Sequence, residues 1–516
     1  MTWAEGYPTE IDYSTGYYPD LSPGMLRFAC LTAGVVLPPQ DECAYLELGF
    51  GRGLAISIHA ASNAGQFWGN DFNPNHVAYA RALAQAADPG IQQQFLDDSF
   101  EELLRRRDLP QFDCIILHGI WSWISEKNRN AIVEILRKKL KVGGIVYISY
   151  NCYPGWAPAQ PVRNLVSLYA HNTVSGGSGA GDRVDEALDA VRHLAQADVA
   201  YFRTHENSAR FLNGLATQDK NYVAHEYTCQ DWHLMDFSEV SQTLKSAKLE
   251  FLTSARFLDT VNSLNLSPSA EAIVNAIADP AVREVTKDFC VDRQFRTDIF
   301  VKGARRLSRY EAQAALGAQA FALLAHPDDI PMTVRGTRAQ ANLDSRIYEP
   351  LIAAFQKYEC APKTVKELVD MSDGLSTEDV AQAVTVLTGI GHLTPAFDPT
   401  ADALRRCTAL NTYLYLRANG GAPTSFLASP VAGRGIAASR VEQTYLAAIA
   451  QGLRTPHELA TFAWKTLERQ GQRLLRDGGT LESADENIDE LTRQASNFTD
   501  KRLPILHSLK VSIATT

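Results

Sequence analysis

The strongest constraint on the fold is an alternation of short, β-rich apolar runs with helical patterns between residues 44 and 149. Strands are predicted at residues 44–48, 66–71, 93–97, 112–118 and 145–149. Helical stretches separate them, and the alanine-rich run 76–87 is the clearest of these. Alternation at this spacing indicates βαβ units, whose helices cover both faces of a parallel sheet. We therefore expect an α/β fold that binds its ligand at the carboxyl ends of the strands.

The sheet is not finished at residue 150. Two more strands are predicted near residues 250–258 and 295–303, with helical insertions between them. An amphipathic helix is predicted at 183–202, after the flexible glycine- and serine-rich loop 175–179. We therefore expect late strands to complete the sheet after a helical insertion.

Beyond about residue 310 the chain changes to alanine-rich helices. Segments 345–358, 363–371 and 377–389 are predicted as helices, and 391–395 follows as a strand. Three short helices and a strand resemble a winged-helix module, whose third helix would enter a DNA groove. No Lys or Arg stands between Ser376 and Ile390, and the net charge of the whole chain is −10. Because phosphate contacts need clustered basic side chains, we expect no nucleic-acid binding.

The eight cysteines show neither the CxxC spacing nor the neighbouring histidines of a zinc site. They are expected to be buried, unpaired thiols in a reducing compartment, and no metal is predicted. The stretch 1–12 is acidic and polar rather than a signal sequence. No run approaches the ~18 apolar residues of a membrane helix, so we expect a cytoplasmic protein without membrane insertion.

A glycine-rich turn follows the first predicted strand and precedes a helix. Its sequence is Glu47-Leu-Gly49-Phe-Gly51-Arg-Gly53. Glycines permit positive φ angles there, and they let backbone N–H groups approach a ligand at the helix N-terminus. Spaced glycines alone fit a dinucleotide site as well.

Further features favour S-adenosylmethionine as the cofactor over a dinucleotide. Glu47 lies at the strand end, where a carboxylate would crowd a pyrophosphate but suits a cationic sulfonium and amino group. The glycine spacing also departs from G-x-G-x-x-G. Asp71 ends the second strand 18 positions after Gly53 (71 − 53), where its carboxylate can accept both ribose hydroxyls. Asp98 and Ser99 end the third strand, where a polar side chain can meet the adenine amino group.

Several longer strings resemble one known group of enzymes. They are Glu47-Leu-Gly-Phe-Gly-Arg-Gly53, Phe67-Trp-Gly-Asn-Asp71, Leu117-His-Gly-Ile-Trp-Ser-Trp123, Ser149-Tyr-Asn-Cys-Tyr-Pro-Gly-Trp156, Tyr222-Val-Ala-His225-Glu226-Tyr and Arg293-Gln-Phe-Arg296. The chain resembles the bacterial class I methyltransferases that carry a methyltransferase regulatory domain. That group includes the rickettsial outer-membrane-protein lysine methyltransferases. The similarity covers roughly residues 10–305.

The resemblance implies a Rossmann-like class I methyltransferase sheet with a helical regulatory insertion, followed by winged-helix-like and mostly helical C-terminal regions. The expected boundaries are 1–170 for the cofactor-binding core, 171–310 for the regulatory segment with the last strands, 311–400 for the winged-helix-like module and 401–516 for the C-terminal region. The last two regions fit this architecture more loosely than the first two.

The resemblance also implies which residues contact the cofactor. The expected contacts, with neighbouring aromatic and histidine positions included, are Glu47, Gly49, Phe50, Gly51, Asp71, Phe72, Asp98, Ser99 and His118. The chain departs from many relatives at Phe50, where Cys is common, and at Trp121, where Tyr is common. Leu54-Ala55 stands where Gly-Asn often occurs, which removes a polar group beside the methionine portion of the cofactor. We still expect the chain to bind the cofactor. The departures weaken the inference that it shares the lysine-containing protein substrates of the relatives.

Aromatic side chains follow strands four and five, and they indicate where the acceptor binds. This aromatic set is Trp121, Trp123, Tyr150, Tyr153 and Trp156. We expect the acceptor to meet His118, Trp121, Tyr150 and Asn151, with Tyr13 and Tyr18 folding over from the N-terminal segment. A dry, aromatic channel penalises the charged form of an amine and so helps it to shed a proton.

Two histidines have alternative interpretations. His118 is either a general base or a polar wall residue that hydrogen-bonds the backbone. His225 and Glu226 are expected to form an ordinary hydrogen-bonded pair, because the HExxH pattern of a metal site is missing from the sequence.

These features favour methylation of a protein side chain, with lysine as the leading acceptor and the C-terminal modules recruiting the protein. Two alternatives stay open: methylation of a small molecule or surface glycan, and a cofactor-binding interaction protein without catalysis. Intact Glu47 and Asp71 argue against a loss of catalysis. A homodimer is expected only because homodimers are frequent among soluble proteins.

Overall fold

We use a computed structural model that describes residues 7, 16–88, 93–172, 179–218, 220–357, 359–420, 424–476 and 478–515. Its central strands are β1 Ala44–Leu48, β2 Gln66–Asn70, β3 Gln93–Leu96, β4 Phe112–Leu117, β5 Leu140–Asn151, β6 Glu250–Ser254 and β7 Phe295–Val301. They form one sheet in the order β3-β2-β1-β4-β5-β7-β6. Strands β1 to β5 are parallel, and β7 lies antiparallel between β5 and β6. The expected α/β fold with two late strands is therefore confirmed.

The strands at the centre of the sheet have no solvent-facing side. Every residue of β1 and β4 is buried, which explains their continuous apolar runs, because helices cover both faces of a parallel sheet. The acidic side chain inside β4, Asp113, accepts a hydrogen bond from the backbone N–H of Ala44 at 2.8 Å and pairs with Lys141 at 2.7 Å. The amino-terminal ends of β1 and β4 are thereby held together.

The helices that precede β7 fall into three groups along the chain. The helices that alternate with β1 to β5, and the one before them, are α1 Pro23–Thr32, α2 Leu54–Ser62, α3 Pro74–Ala87, α4 Phe100–Arg105 and α5 Glu126–Lys139. Between β5 and β6 the chain inserts α6 Gln160–Asn172, α7 Ala180–Gln196, α8 Ala200–Thr204, α9 Glu206–Gly214, α10 Lys220–Thr228 and α11 Phe237–Lys245. Between β6 and β7 lie α12 Asn262–Asn265, α13 Pro268–Ala276 and α14 Pro280–Val291. Helices α6 to α10 enclose an apolar cluster of their own.

Two boundaries differ from the prediction. The predicted helix 183–202 is two helices, because Asp198 adopts a left-handed conformation with φ of 54° between α7 and α8. Gly143 and Gly144, predicted to separate a helix from a strand, lie inside β5, where its pairing with β4 shifts register. Glycine is tolerated at such an irregularity because it has no side chain to pack.

The region predicted to resemble a winged helix contains the three expected helices and the expected strand. The helices are α16 Ser345–Gln356, α17 Val365–Met371 and α18 Thr377–Gly389, and the strand is β12 Leu393–Ala396. A further helix, α15 Arg309–Ala318, precedes them. The sequence did not predict β8 Ala320–Leu323, β9 Thr333–Arg335, β10 Gln340–Asn342 and β11 Lys363–Thr364. Strand β8 pairs with both β11 and β12. Strands this short give an alternating pattern too few repeats to be recognised.

The C-terminal region is mostly helical, as expected, and adds two small hairpins. Its helices are α19 Ala401–Asn419, α20 Arg440–Ala450, α21 Pro456–Glu468, α22 Ala484–Asn497 and α23 Leu503–Ser508. The hairpins pair β13 Phe426–Ser429 with β14 Arg434–Ala437, and β15 Leu475–Arg476 with β16 Gly479–Thr480. Across the described part of the chain, no helix combines the length and the apolar character needed to span a bilayer.

Helix α2, which follows the glycine turn, is buried at all nine of its residues. One side packs on the sheet, and the C-terminal region covers the other. There Arg406 Nη2 donates to the carbonyl of Asn63 at 2.8 Å, and Cys407 Sγ lies 3.6 Å from the carbonyl oxygen of Ala61. A helix that is buried all round needs cover on every side, so the C-terminal region completes the surroundings of α2.

Candidate active site

A cavity of about 510 Å³ opens at the carboxyl ends of β1, β2 and β4. Parallel sheets bind their ligands at this edge, and the volume is typical of a small-molecule site. The predicted residues that line it are Tyr18, Glu47, Gly49, Phe50, Gly51, Asp71, Phe72, Asp98, Ser99, His118 and Asn151. Among the described residues, no group of three or more His, Cys, Asp or Glu side chains is arranged to hold a metal ion.

The turn after β1 requires glycine for two reasons. Gly49, Gly51 and Gly53 have φ angles of 68°, 59° and 72°, a region that residues with side chains rarely adopt. A Cβ atom at Gly53 would also lie 2.6 Å from the Cβ of Ala80, and one at Gly49 would lie 2.5 Å from Ile120. The turn therefore packs closely against its neighbours while its backbone lines the cavity.

The carboxylate of Asp71 holds this turn in place. Its Oδ2 accepts the backbone N–H of Gly51 at 2.9 Å, and its Oδ1 accepts that of Asn73 at 3.0 Å. Oδ1 also lies 3.1 Å from Nδ1 of His76. A carboxylate has about four acceptor positions, so three protein partners leave about one. The expectation that Asp71 accepts both ribose hydroxyls therefore requires one of the protein bonds to give way.

The carboxyl group of Glu47 is buried, and its Oε2 has no hydrogen-bond partner among the described residues. Burial, with a smaller contribution from Asp71, raises the pKa of Glu47 to about 8. A buried acceptor without a partner costs about 1–3 kcal/mol. A cationic amino group bound in the cavity would supply the missing partner, so Glu47 fits the cofactor inferred from the sequence.

Asp98 and Ser99 lie at the cavity edge after β3, and both take part in local structure. The carboxylate of Asp98 pairs with Arg106 at 2.8 Å through Oδ2, and its carbonyl accepts Nδ2 of Asn70 at 2.9 Å. Ser99 begins α4, and its hydroxyl donates to the carboxylate of Glu102 and accepts the backbone N–H of Glu102. Ser99 thus serves the start of the helix, whereas Asp98 has a second carboxylate oxygen at the cavity edge.

Phe50 forms a wall of the cavity and does not fill it. Its ring packs edge-on against Phe95, with centroids 5.2 Å apart. It also lies over Gly69, where a Cβ atom would come within 2.7 Å of the Phe50 ring. On another wall, Phe72 meets the ring of Tyr7 at 5.5 Å.

The imidazole of His118 lies at the end of β4 and is half-buried. Its Nδ1 lies 3.1 Å from the hydroxyl of Tyr147 and 3.3 Å from that of Ser149. Burial, with a contribution from Arg256, lowers the pKa of His118 to about 4, so the ring is neutral at neutral pH. Because a general base works best with a pKa near the working pH, these contacts favour the interpretation as a polar wall residue.

Two predicted acceptor residues do not line the cavity. Side chains alternate along a strand, so Tyr150 points to the opposite face of β5 from Ser149 and Asn151. There its hydroxyl donates to Asp298 at 2.7 Å. Trp121 is buried in the same apolar cluster as Tyr150. The structure therefore corrects the prediction for Trp121 and Tyr150, while Asn151 does line the cavity.

The N-terminal tyrosines differ in their positions. Tyr13 lies outside the described residues. The hydroxyl of Tyr17 accepts the backbone N–H of Gly435 at 2.5 Å, which anchors this segment in the C-terminal region. Tyr18 points the other way and packs on His118, with ring centroids 4.1 Å apart. Only Tyr18 of this described pair lines the cavity.

Sequence reasoning missed the part of the cavity that distant segments build. It did not single out Arg52, Asn70, Ile120, Asn128, Cys229, Asp231, Arg256 or Phe295, which also line the cavity. Glu226 drew attention only as the neighbour of His225, although it too lines the cavity. Trp123 and Trp156 of the predicted aromatic set are found there as well. Arg52, Asn70, Ile120 and Phe295 lie inside the strings that carry the resemblance, but no role was predicted for them. Asn128, Cys229, Asp231 and Arg256 belong to no motif and come together only when the chain folds.

Comparison with known proteins identifies the class. A methyltransferase domain model matches residues 46–144, and a predicted methyltransferase regulatory domain matches residues 219–302. Together with the sheet order and the glycine turn, the first match defines a class I methyltransferase that uses S-adenosylmethionine.

The uncharacterized protein sll1526 of Synechocystis sp. is 38% identical over 519 residues, which cover 99% of this chain and 100% of that protein. The chain belongs to the family of S-adenosylmethionine-dependent methyltransferases that carry a methyltransferase regulatory domain. The resemblance inferred from the sequence is thereby confirmed.

Rickettsial proteins share the fold or part of the sequence. PKMT2 from Rickettsia typhi, solved in complex with AdoHcy, aligns with a TM-score of 0.70 at 17% identity, over 96% of this chain and 100% of that chain. The uncharacterized protein RP789 of Rickettsia prowazekii is 25% identical over 314 residues, which cover 58% of this chain and 53% of that protein. The structural match shows that nearly the whole chain, including its C-terminal half, follows one shared architecture.

Proposed function

We propose that this enzyme methylates a protein side chain, with the ε-amino group of lysine as the acceptor. The observation that supports this most is the charge of the cavity, whose described lining includes five acidic residues and two arginines. The acidic residues are Glu47, Asp71, Asp98, Glu226 and Asp231. With Glu47 protonated in the free enzyme, four acidic side chains still outnumber the two arginines. An excess of carboxylates attracts cationic ligands and disfavours anionic ones. An alkylammonium group gains from such a cavity, whereas a neutral glycan does not.

At the cofactor end, the proposal gives each polar group of S-adenosylmethionine a partner. The unpaired Oε2 of Glu47 accepts a hydrogen bond from the amino group. Asp71 accepts a ribose hydroxyl at its remaining position, and the carboxylate of Asp98 accepts the adenine amino group. The backbone of the glycine turn and the rings of Phe50 and Phe72 form the walls around them.

Bound S-adenosylmethionine supplies a methyl group on a positively charged sulfur. The lysine nitrogen, after it has lost a proton to solvent, forms a bond to the methyl carbon as the carbon–sulfur bond breaks. The electron pair of the broken bond stays on sulfur, which becomes a neutral thioether. The contribution of the chain is alignment, because correct positioning of two reactants can lower such a barrier by roughly 7–11 kcal/mol.

Aromatic side chains exclude water from the place where the acceptor nitrogen reacts. Tyr18, Trp123 and Trp156 line the cavity, and a dry environment disfavours the ammonium form of an amine. His118, with a pKa lowered to about 4 by burial, is a poor proton acceptor at neutral pH. In this proposal it forms a polar wall that supports Tyr18.

Relatives support the same class of acceptor. The name PKMT2 denotes a protein lysine methyltransferase, and that structure contains AdoHcy, the product left when the cofactor has given up its methyl group. At 17% identity the match does not carry the acceptor across to this chain. The choice of lysine therefore depends on the cavity and has to be tested directly.

The test follows a labelled methyl group. The full-length enzyme is incubated with S-adenosylmethionine tritiated in the methyl group and a dialysed bacterial lysate, which is then separated into protein and low-mass fractions. Label is expected in protein, and acid hydrolysis should release it as methyllysine. Acetylation of the lysate amines beforehand should abolish it. Label confined to low-mass material or to another amino acid would refute lysine, and cofactor binding without any transfer would indicate a binding protein.

A further inference from the structure

The far end of the cavity is built by the segment that the regulatory-domain model matches. Glu226, Cys229 and Asp231, at and just after the end of α10, line the cavity there. They share its wall with Trp123 and Trp156, which follow β4 and β5. The matched regulatory segment and the glycine turn therefore border one and the same space.

We infer that this segment recognises the acceptor, and that Glu226 and Asp231, here called the acidic mouth, select a cationic lysine side chain. The inference rests on the proposed function, since it requires an amine acceptor. It goes further because it names the residues that choose that amine and gives the regulatory segment a direct role in substrate binding.

Glu226 is the member of the acidic mouth that interacts electrostatically with Tyr18. Burial and the charges of Glu47 and Glu226 raise the pKa of the Tyr18 hydroxyl. Tyr18 itself packs on His118 at the end of β4. Two carboxylates thus approach one phenol, Glu47 from the sheet and Glu226 from the regulatory segment. Glu226 is therefore within electrostatic reach of the strand ends.

Asp231 is the outer member of the acidic mouth. Its side chain is 33% exposed, and its carboxylate lies 3.5 Å from Nε2 of His233. It also interacts electrostatically with Arg129. A partly exposed carboxylate at a cavity rim steers cations toward the opening, and a deeper one then holds them.

Arg163, on α6, fixes the acidic mouth to the aromatic wall. Its Nη2 donates to the backbone carbonyls of Glu226 at 2.8 Å and Cys229 at 3.3 Å. Its guanidinium lies 4.7 Å from the ring centroid of Trp232, which in turn meets Trp156 at 5.5 Å. Because Arg163 is 95% buried in this position, the mouth and the wall are held together as one unit.

Three arginines approach this part of the molecule, and each has contacts within the protein. Arg163 donates to backbone carbonyls, Arg129 donates to the carbonyl of Ile124 at 2.5 Å, and Arg256 packs over Phe295 at 5.5 Å. They moderate the negative potential without reversing it, because acidic residues outnumber arginines along the described cavity lining.

In this arrangement the lysine side chain is attracted at one place in the cavity and reacts at another. Lysine arrives as a cation, which the acidic mouth attracts. Its aliphatic stem then packs on the indole rings, which also favour a cation over their faces. Farther in, burial disfavours the charge, so the amine gives up its proton to solvent before it meets the methyl group.

The inference is tested with Glu226→Gln and Asp231→Asn in the full-length enzyme. The control is Glu250→Gln, because Glu250 is an exposed acid within the same matched segment, at the start of β6. Each mouth variant should raise KM for the lysate protein fraction about tenfold, the effect of losing one charge-assisted contact. The dissociation constant for S-adenosylmethionine should stay within about twofold of the wild type, and the control should behave as the wild type.

Two further measurements distinguish the loss of charge from structural damage in the mouth variants. Glu226→Asp keeps the charge and should recover part of the lost rate. Added salt should raise KM for the wild type more steeply than for the mouth variants, because salt screens charge attraction. Wild-type labelling of lysine with mouth variants as fast as the control would overturn the inference and leave the proposed function intact. Absence of lysine labelling by the wild type would overturn both. Variants that lose cofactor affinity together with rate would show a structural role and contradict the inference.

Discussion

The two ends of the cavity are built in different ways. At the cofactor end, the acids come from three consecutive strand–helix units, and Glu47 and Asp98 are 51 residues apart (98 − 47). At the acceptor end, Tyr18 and Glu226 are 208 residues apart (226 − 18). Sheet topology alone brings the strand tips together, whereas an inserted segment must fold back to form the other end. If the insertion binds the acceptor, as we propose, a change in it can alter the acceptor while cofactor binding is preserved.

The largest expected effect is that of Asp71→Ala, which breaks the cofactor end alone. The variant loses the charge-assisted hydrogen bond to a ribose hydroxyl, worth ~1.5–3 kcal/mol, so the dissociation constant for S-adenosylmethionine should rise about 10- to 150-fold. Titration calorimetry measures this. Asp97→Ala is the matched control, because Asp97 is an exposed acid that directly follows the neighbouring strand β3. Unchanged affinity in the Asp71 variant would contradict the assignment.

Arg163→Lys is expected to damage the acceptor end alone. Lysine cannot reproduce the planar guanidinium that donates to two carbonyls and stacks on indole rings. The value of kcat/KM for the protein fraction should fall about tenfold, with cofactor affinity unchanged. Arg210→Lys, at an exposed position of α9 in the same insertion, should have no effect. An equal loss of cofactor affinity in the Arg163 variant would show that the two ends are not independent.

The pKa of Glu47 predicts how cofactor binding depends on pH. Since its folded-state pKa of about 8 lies above the ordinary value of 4.5, the cofactor-free fold holds a proton that the unfolded chain releases between these values. Stability of the free enzyme from this group therefore falls as pH rises through that window. Binding that uses the carboxylate strengthens instead, by up to about tenfold per pH unit from about pH 6 to 7.5. Glu47→Gln should abolish the slope, and a slope that persists would assign it to another group.

The smallest expected effect is that of His118→Gln. This variant tests whether His118, between the cofactor end and the acceptor end of the cavity, acts as a general base. Glutamine can still hydrogen-bond the hydroxyl of Tyr147, so the rate should stay within about threefold of the wild type, whereas loss of a general base costs roughly 10²–10⁴-fold. The pH–rate profile measures the same point independently. An inflection that disappears in the variant would identify His118 as the base.

The cofactor end could be predicted because its information is local. Each strand–helix unit carries its own periodicity, and Glu47, Asp71 and Asp98 each follow directly from a strand end. Tyr150 was misplaced because the predicted strand ended at residue 149, whereas β5 continues to Asn151. Alternation along the longer strand puts Tyr150 on the face opposite Asn151.

The acceptor end could not be predicted in the same way. Asp231 belongs to no motif, and its place depends on how α6 to α10 pack, which Arg163 secures through backbone carbonyls. Every residue has a backbone carbonyl, so the pattern of side chains in the sequence does not predict which carbonyls Arg163 contacts. The short strands β8 and β11 were not predicted for a related reason. They are recognised by their pairing with other strands, because they are too short to show an alternating pattern.

The burial of α2 on all sides has a consequence for how this enzyme can be divided. A fragment ending after the last sheet strand would leave the outer flank of that helix, from His59 to Ala61, in contact with water. Such a fragment should therefore be less stable than the full chain, because the buried flank of α2 would lose its cover. The relative from Synechocystis aligns with this chain over its whole length, C-terminal region included.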